Sequence, residues 1–141
     1  MNPLIQFLRA TSYGKGPDTG ILVLRIGTGG LMMTHGWPKL MKFTEYAPDF
    51  YNFLGLGGDV SLALTILAEL CCSFLLVIGL GTRLILVPLL ILGFVIVMII
   101  HSGDPLGDKE SGLMYFMSYI TLILTGPGRY SLDQLIWRQK N

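Results

Sequence analysis

The sequence predicts an all-α integral membrane protein, a single bundle of four transmembrane helices with both termini cytoplasmic. Three observations predict it. Hydrophobic residues make up 52% of the chain and charged residues only 13%, where a soluble domain carries about 25% charge. The run VSLALTILAELCCSFLLVIGL between Asp59 and Arg83 would rise about 31 Å as a helix, close to the depth of bilayer hydrocarbon. Basic residues also gather in alternate connections, as the positive-inside rule requires. One compact domain accounts for the length. The net charge of +1, with its basic residues scattered, offers no surface for nucleic acid.

Residues 1–20 hold an apolar cluster, Leu4, Ile5, Phe7 and Leu8, that is too short to span and then breaks into Gly and Pro. This segment either lies in the headgroup layer, with Arg9 and Lys15 toward anionic lipid, or forms a loose tail. No basic region leads directly into an apolar core, so no cleavable signal is expected. The first span covers about residues 21–37. On a helical wheel Thr28, Gly29, Met32, His35 and Gly36 lie within about 80° of Arg25, a polar and small-residue face. Pro38 is expected to end regular helix before Lys39. The loop that follows is rich in aromatics: Phe43, Tyr46, Phe50, Tyr51 and Phe53 form either an interfacial belt or a short re-entrant lid.

The second span, about residues 60–80, carries a carboxylate at its centre. Glu69 there costs roughly 2.5–3.5 kcal/mol on insertion scales, so it needs a partner. Ser61, Thr65, Cys72 and Ser73 share its side, and a small-polar stripe on a membrane helix faces protein, so Glu69 should point inward. Cys71 and Cys72 are adjacent, without CxxC or metal spacing, and read as small packing residues.

The short Gly79-Leu80-Gly81-Thr82-Arg83 connection makes spans two and three antiparallel neighbours. Span three, about 84–101, ends at His101, on the same membrane side as His35. An acidic loop with Asp104, Asp108 and Glu110 around Lys109 precedes span four, about 112–125, which is short for a crossing. Tyr115, Ser118, Tyr119 and Leu122 share one face of it. In the 126–141 tail, Ser131 is placed to cap a terminal helix from Leu132. Four spans put Arg9, Lys15, Arg83, Arg129, Arg138 and Lys140 on one side, which should be cytoplasmic.

Within this frame Arg25 is the expected counter-ion of Glu69, at an axial offset of roughly 8 Å. His35 and His101 are expected to meet near the outer interface, with Lys39 and Glu110 nearby. A purely structural ion pair and histidines that merely cap the interface are the alternatives. The histidines and acids come from separate spans, and no local spacing supports a metal.

Several landmarks occur in a fixed order: Leu24-Arg25-Ile26-Gly27, His35-Gly36-Trp37-Pro38-Lys39, Glu69, Gly79-Leu80-Gly81-Thr82-Arg83, His101, Glu110, and Gly126-Pro127-Gly128-Arg129-Tyr130-Ser131-Leu132-Asp133. Together, across residues 20–133, they resemble DoxX-like membrane proteins of the DoxX/DoxD type. The resemblance implies a multi-pass four-helix bundle in the bacterial cytoplasmic (inner) membrane. It also implies association with quinone- or quinol-linked redox systems, such as subunits of thiosulfate:quinone oxidoreductase or a terminal quinol oxidase. In that setting Glu69, His35 and His101 are the expected catalytic or proton-handling groups. Arg25, Lys39, Glu110, Tyr115 and Tyr119 are the expected ligand-binding groups. The cofactor would be quinone or quinol, with no metal, haem or flavin; the chain has no CxxC, haem motif or flavin fingerprint for electron transfer of its own. Two other readings stand beside this one. The chain could be a non-catalytic accessory or assembly subunit that packs through faces such as Gly27 and Gly30 onto other membrane redox subunits or its own copy. It could also form a small-solute or proton pathway along the Arg25–Glu69 stripe.

Overall fold

The computed structural model describes residues 12–137, and every regular element among them is helical. The expected interfacial cluster at residues 4–8, Arg9, Arg138 and Lys140 lie outside the described residues. Helix α1 runs Lys15–Met41. Pro17 falls in its first turn, where a missing N–H costs nothing. Pro38 does not end this helix as expected, because a proline removes one donor only, and the Lys42 N–H bonds the Pro38 carbonyl at 3.0 Å to close the last turn. Lys39 therefore projects from α1 one turn beyond His35.

The aromatic loop is folded rather than loose. It contains α2 (Phe43–Tyr46) and two 3-10 turns, Ala47–Asp49 and Phe53–Gly55. Ala47 is buried against Leu62 and Ile66, with Phe43 and Phe50 packed alongside. A Cβ at Gly58 would collide with the Ala47 carbonyl, so a residue without one is needed at this crossing. Ser61 fastens the loop: its hydroxyl accepts from the Phe53 N–H at 2.9 Å and donates to the Gly57 carbonyl at 2.6 Å.

Helix α3 (Gly58–Ile66) continues through a π turn, Leu67–Cys72, into α4 (Ser73–Ile78). Gly79, at φ 72°, ends it in the left-handed conformation, and the Leu80 N–H bonds back to Leu75 as such C-caps do. Helix α5 (Thr82–Phe94) ends in a second π turn, Val95–Ile100. Among the described residues, the continuous stretches Gly58–Ile78 and Thr82–Ile100 are the two helices long and apolar enough to cross a membrane. Helix α6 spans Leu106–Thr125. It starts six residues before the expected fourth span, because Pro105 at its N-cap lets Asp108, Lys109 and Glu110 join the helix. Ser131 caps the short α7 (Leu132–Trp137) as expected, accepting from the Gln134 N–H at 3.2 Å.

Close approach between α1 and the α3–α4 segment depends on two glycines one heptad apart. A Cβ at Gly29 would sit 2.9 Å from the Ser73 carbonyl, and one at Gly36 would sit 2.8 Å from Leu70 and 2.9 Å from Glu69. As the α1 number rises by seven the facing number falls, so the two segments run antiparallel. On the other side α5 packs on α6, with Gly93 against Phe116. Leu76, Leu86, Leu89, Tyr119 and Leu122 are wholly buried between these segments. Val23, Leu31, Phe74, Leu84 and Leu124 lie exposed on the outside.

Candidate functional site

Glu69 sits in the first π turn and is 1% exposed, so it points inward as expected. Its partner is not Arg25. Lys39 Nζ lies 2.5 Å from Oε1 and 2.7 Å from Oε2, a bidentate charge-assisted contact. The antiparallel register explains the correction. Gly36 faces Glu69 and Leu70, so Lys39, carried one turn further by the uninterrupted helix, lies within reach of Glu69. Arg25 lies near the far end of α4 instead. Its Nε donates to the Leu76 carbonyl at 2.9 Å and its Nη2 to Val77 and Tyr130 at 3.0 Å each, while Nη1 reaches Pro127 at 2.5 Å. Leu76 is seven residues past Glu69, about 10 Å along the helix. Arg25 thus satisfies carbonyls at the end of α4 and ties them to the C-terminal segment.

A cavity of about 400 Å³ opens beside the ion pair. Lys39 and Glu69 form its polar end and His101 lies on another wall, while Phe50, Tyr51 and Phe53 close one side. Most of the remaining lining is aliphatic, from α3, α5 and both π turns. Leu64, Leu67, Ile91 and Ile100 line it and are also exposed on the outer surface, so the cavity opens sideways between α3 and α5 onto the apolar face. The hydroxyl protons of Ser61 and Thr65 are used on backbone carbonyls of their own helix. Lys39, Glu69, His101 and the Tyr51 hydroxyl are left as the groups able to read a ligand.

The other expected residues divide. His35 is exposed and meets Tyr115 edge-on at 5.9 Å, and Tyr115 meets Tyr119 at 6.2 Å. This ladder leads inward from the end of α1 behind Glu69, which lies within electrostatic reach of all three. Tyr119 is wholly buried, and its hydroxyl has no hydrogen-bond partner among the described residues. The expected meeting of His35 and His101 is not seen: the Nδ1 of His101 lies 2.6 Å from Asp104, while His35 turns to Tyr115. Glu110 is exposed in a shallow depression with Leu106 and Met114, apart from the Glu69 cavity.

Phe50, Tyr51 and Phe53 are cavity wall, a place nearer to the lid alternative than to the interfacial belt. One contribution went unread in the sequence. Asp133 caps α5 from a distance, accepting from the Gly81 N–H at 2.7 Å and the Thr82 N–H at 2.9 Å. The available signal was a missing one: Gly81, at the N-cap of α5, has no side chain to do this work.

The family model described as DoxX matches residues 20–102. The chain is 26% identical to the uncharacterized membrane protein Rv3486 of Mycobacterium tuberculosis, over 86% of this chain and 83% of that protein. It is 30% identical to the inner membrane protein YqjF of Escherichia coli, over 86% of this chain and 95% of that one. No solved structure matches it. A family match over more than half the chain, with full-length relatives named as membrane proteins, shows that this membrane protein belongs to the DoxX family.

Proposed function

We propose that the chain is a four-span subunit of a quinone-linked redox system in the bacterial inner membrane, with both termini cytoplasmic, that binds a quinone or quinol in the Glu69 cavity. The observation that carries this reading is a laterally open, largely aliphatic cavity ending in a buried ion pair. Its volume falls within the usual range for small-molecule sites. A lipophilic ring with two opposed oxygens fits that donor set. Lys39 and His101 supply donors to carbonyl oxygens, Glu69 an acceptor for hydroxyls, and Phe50 and Phe53 faces for a ring. When bound, the quinone would supply two-electron, two-proton chemistry; the chain's own residues orient the headgroup, exclude water through the folded aromatic loop and hold a proton at Glu69. Arg83 and Arg129 at the end shared with both termini favour the cytoplasmic orientation, and the name of the E. coli relative favours the inner membrane.

The test is to extract lipids from purified protein and measure quinone per chain, beside Glu69→Gln. Enrichment over bulk membrane that falls in the variant supports the reading; the same content as bulk membrane in both samples sinks it. One observation favours a second reading, that of an accessory subunit. Gly27 and Gly30 have open space above them on the outer side of α1, a surface on which another helix could seat. That reading predicts co-purification with a larger complex whose activity survives Glu69→Gln.

A further inference from the structure

A second cavity, of about 590 Å³, lies on the opposite side of Lys39. Its wall includes Thr34 and His35 from α1 and Glu45 and Asp49 from the folded loop; His35, Glu45 and Asp49 are exposed. The two cavities share two side chains, Lys39 and Phe50. The ion pair is correspondingly lopsided: the Lys39 side chain is 27% exposed and that of Glu69 only 2%. Lysine suits such a wall. Its ammonium is a compact group on a flexible stem, with three donors and a proton that it can release.

We propose that Glu69 exchanges its proton with the aqueous phase on the His35 side through Lys39, with the second cavity as the vestibule and Phe50 as the seal between water and the apolar chamber. The groups facing Glu69 are Lys39 and His35 from α1 and Tyr115 and Tyr119 from α6, while His101 and Tyr51 line the same cavity. Glu45, Tyr46 and Asp49 line the vestibule with Lys39, Glu45 being also bonded to Lys42. Of all these, Lys39 alone both touches Glu69 and lines the two cavities. In the transfer an Nζ–H bond of Lys39 breaks and an O–H bond forms on Glu69, leaving a neutral amine and a neutral acid. A proton from vestibule water restores the ammonium. The reverse sequence delivers one proton outward, and no electron moves in either direction.

This rests on the preceding reading in one respect, that Glu69 handles a proton for the ligand of its cavity. The experiment uses the full chain in sealed liposomes of known orientation. Time-resolved infrared spectroscopy follows the protonated-carboxyl stretch assigned to Glu69 by its loss in Glu69→Gln. The pH is jumped on one side at a time. The band is expected to follow the pH on the His35 side. Lys39→Arg keeps the charge but has no proton to give near neutral pH, and should slow the response about a hundredfold, within the usual range for acid–base relays. Lys39→Met should slow it as well, so a variant that fails to fold leaves the other to decide. A response from the opposite side, from both sides equally, or at the native rate in either variant overturns the proposal, as does the lack of any Glu69 band across the accessible pH range. Quinone content measured on the same preparations separates the two ideas. A side-selective, Lys39-dependent response without bound quinone removes the ligand reading alone; bound quinone with a Lys39-independent response removes the relay alone.

Discussion

A double-mutant cycle on Lys39 and Glu69 is the sharpest check on the geometry. Replacing one partner of a buried, hydrogen-bonded pair leaves an uncompensated charge and costs about 3–5 kcal/mol. Because 27% of the Lys39 side chain meets solvent, the pair is screened in part, and Lys39→Met should cost about 3 kcal/mol, the lower end of that range. Glu69→Gln leaves an ammonium able to turn toward the vestibule, at about 1–2 kcal/mol. In the double variant neither charge remains, so its loss should fall short of the sum by about 2–3 kcal/mol. The same cycle run with Arg25→Met and Glu69→Gln should be additive within about 0.5 kcal/mol, since the two residues share no hydrogen-bond partner. Reversible unfolding in mixed micelles gives all the required values. Coupling above about 1 kcal/mol between Arg25 and Glu69, with none between Lys39 and Glu69, would refute the register argument.

Arg25→Met strips donors from four carbonyls and should destabilise by about 3–5 kcal/mol in the same assay, with Arg25→Lys intermediate because one ammonium cannot span them all. Gly36→Ala forces a methyl against Leu70 and Glu69 and should cost about 1–3 kcal/mol, with lower quinone content as Glu69 shifts. Asp133→Ala removes the remote cap of α5 and should cost about 1–2 kcal/mol, seen as faster amide exchange at Gly81 and Thr82 while exchange in α6 is unchanged.

The sequence made the helices legible, and with them the inward aim of Glu69 and the Ser131 cap, because these depend on local periodicity and neighbouring residues. The partner of Glu69 was not legible, for two reasons. Pro38 carries a strong local bias against helix, and it was overridden because the Lys42 N–H still closes the last turn on the Pro38 carbonyl. Reading α1 as ending there left Lys39 off the helix and made Arg25 the visible cation. The needs that draw Arg25 elsewhere are nonlocal: carbonyls of Leu76, Val77, Pro127 and Tyr130 come together only once the last segment folds back. The π turns were equally hidden. A wider turn of this kind often marks a functional position, and both occurrences here line the same cavity, yet apolar runs such as Val95–Ile100 carry no mark of it.

The bonding of Arg25 also sets an order of events during synthesis. Its acceptors at Leu76 and Val77 emerge about fifty residues before those at Pro127 and Tyr130. Until they arrive, a guanidinium on the first helix is only half satisfied, and the first three long helical segments cannot complete their packing around it. A nascent chain that stops before Pro127 therefore differs from one that includes it by a guanidinium with only half of its carbonyl acceptors. The segment that carries Pro127 and Tyr130 thus completes the bonding of a charge placed about a hundred residues earlier.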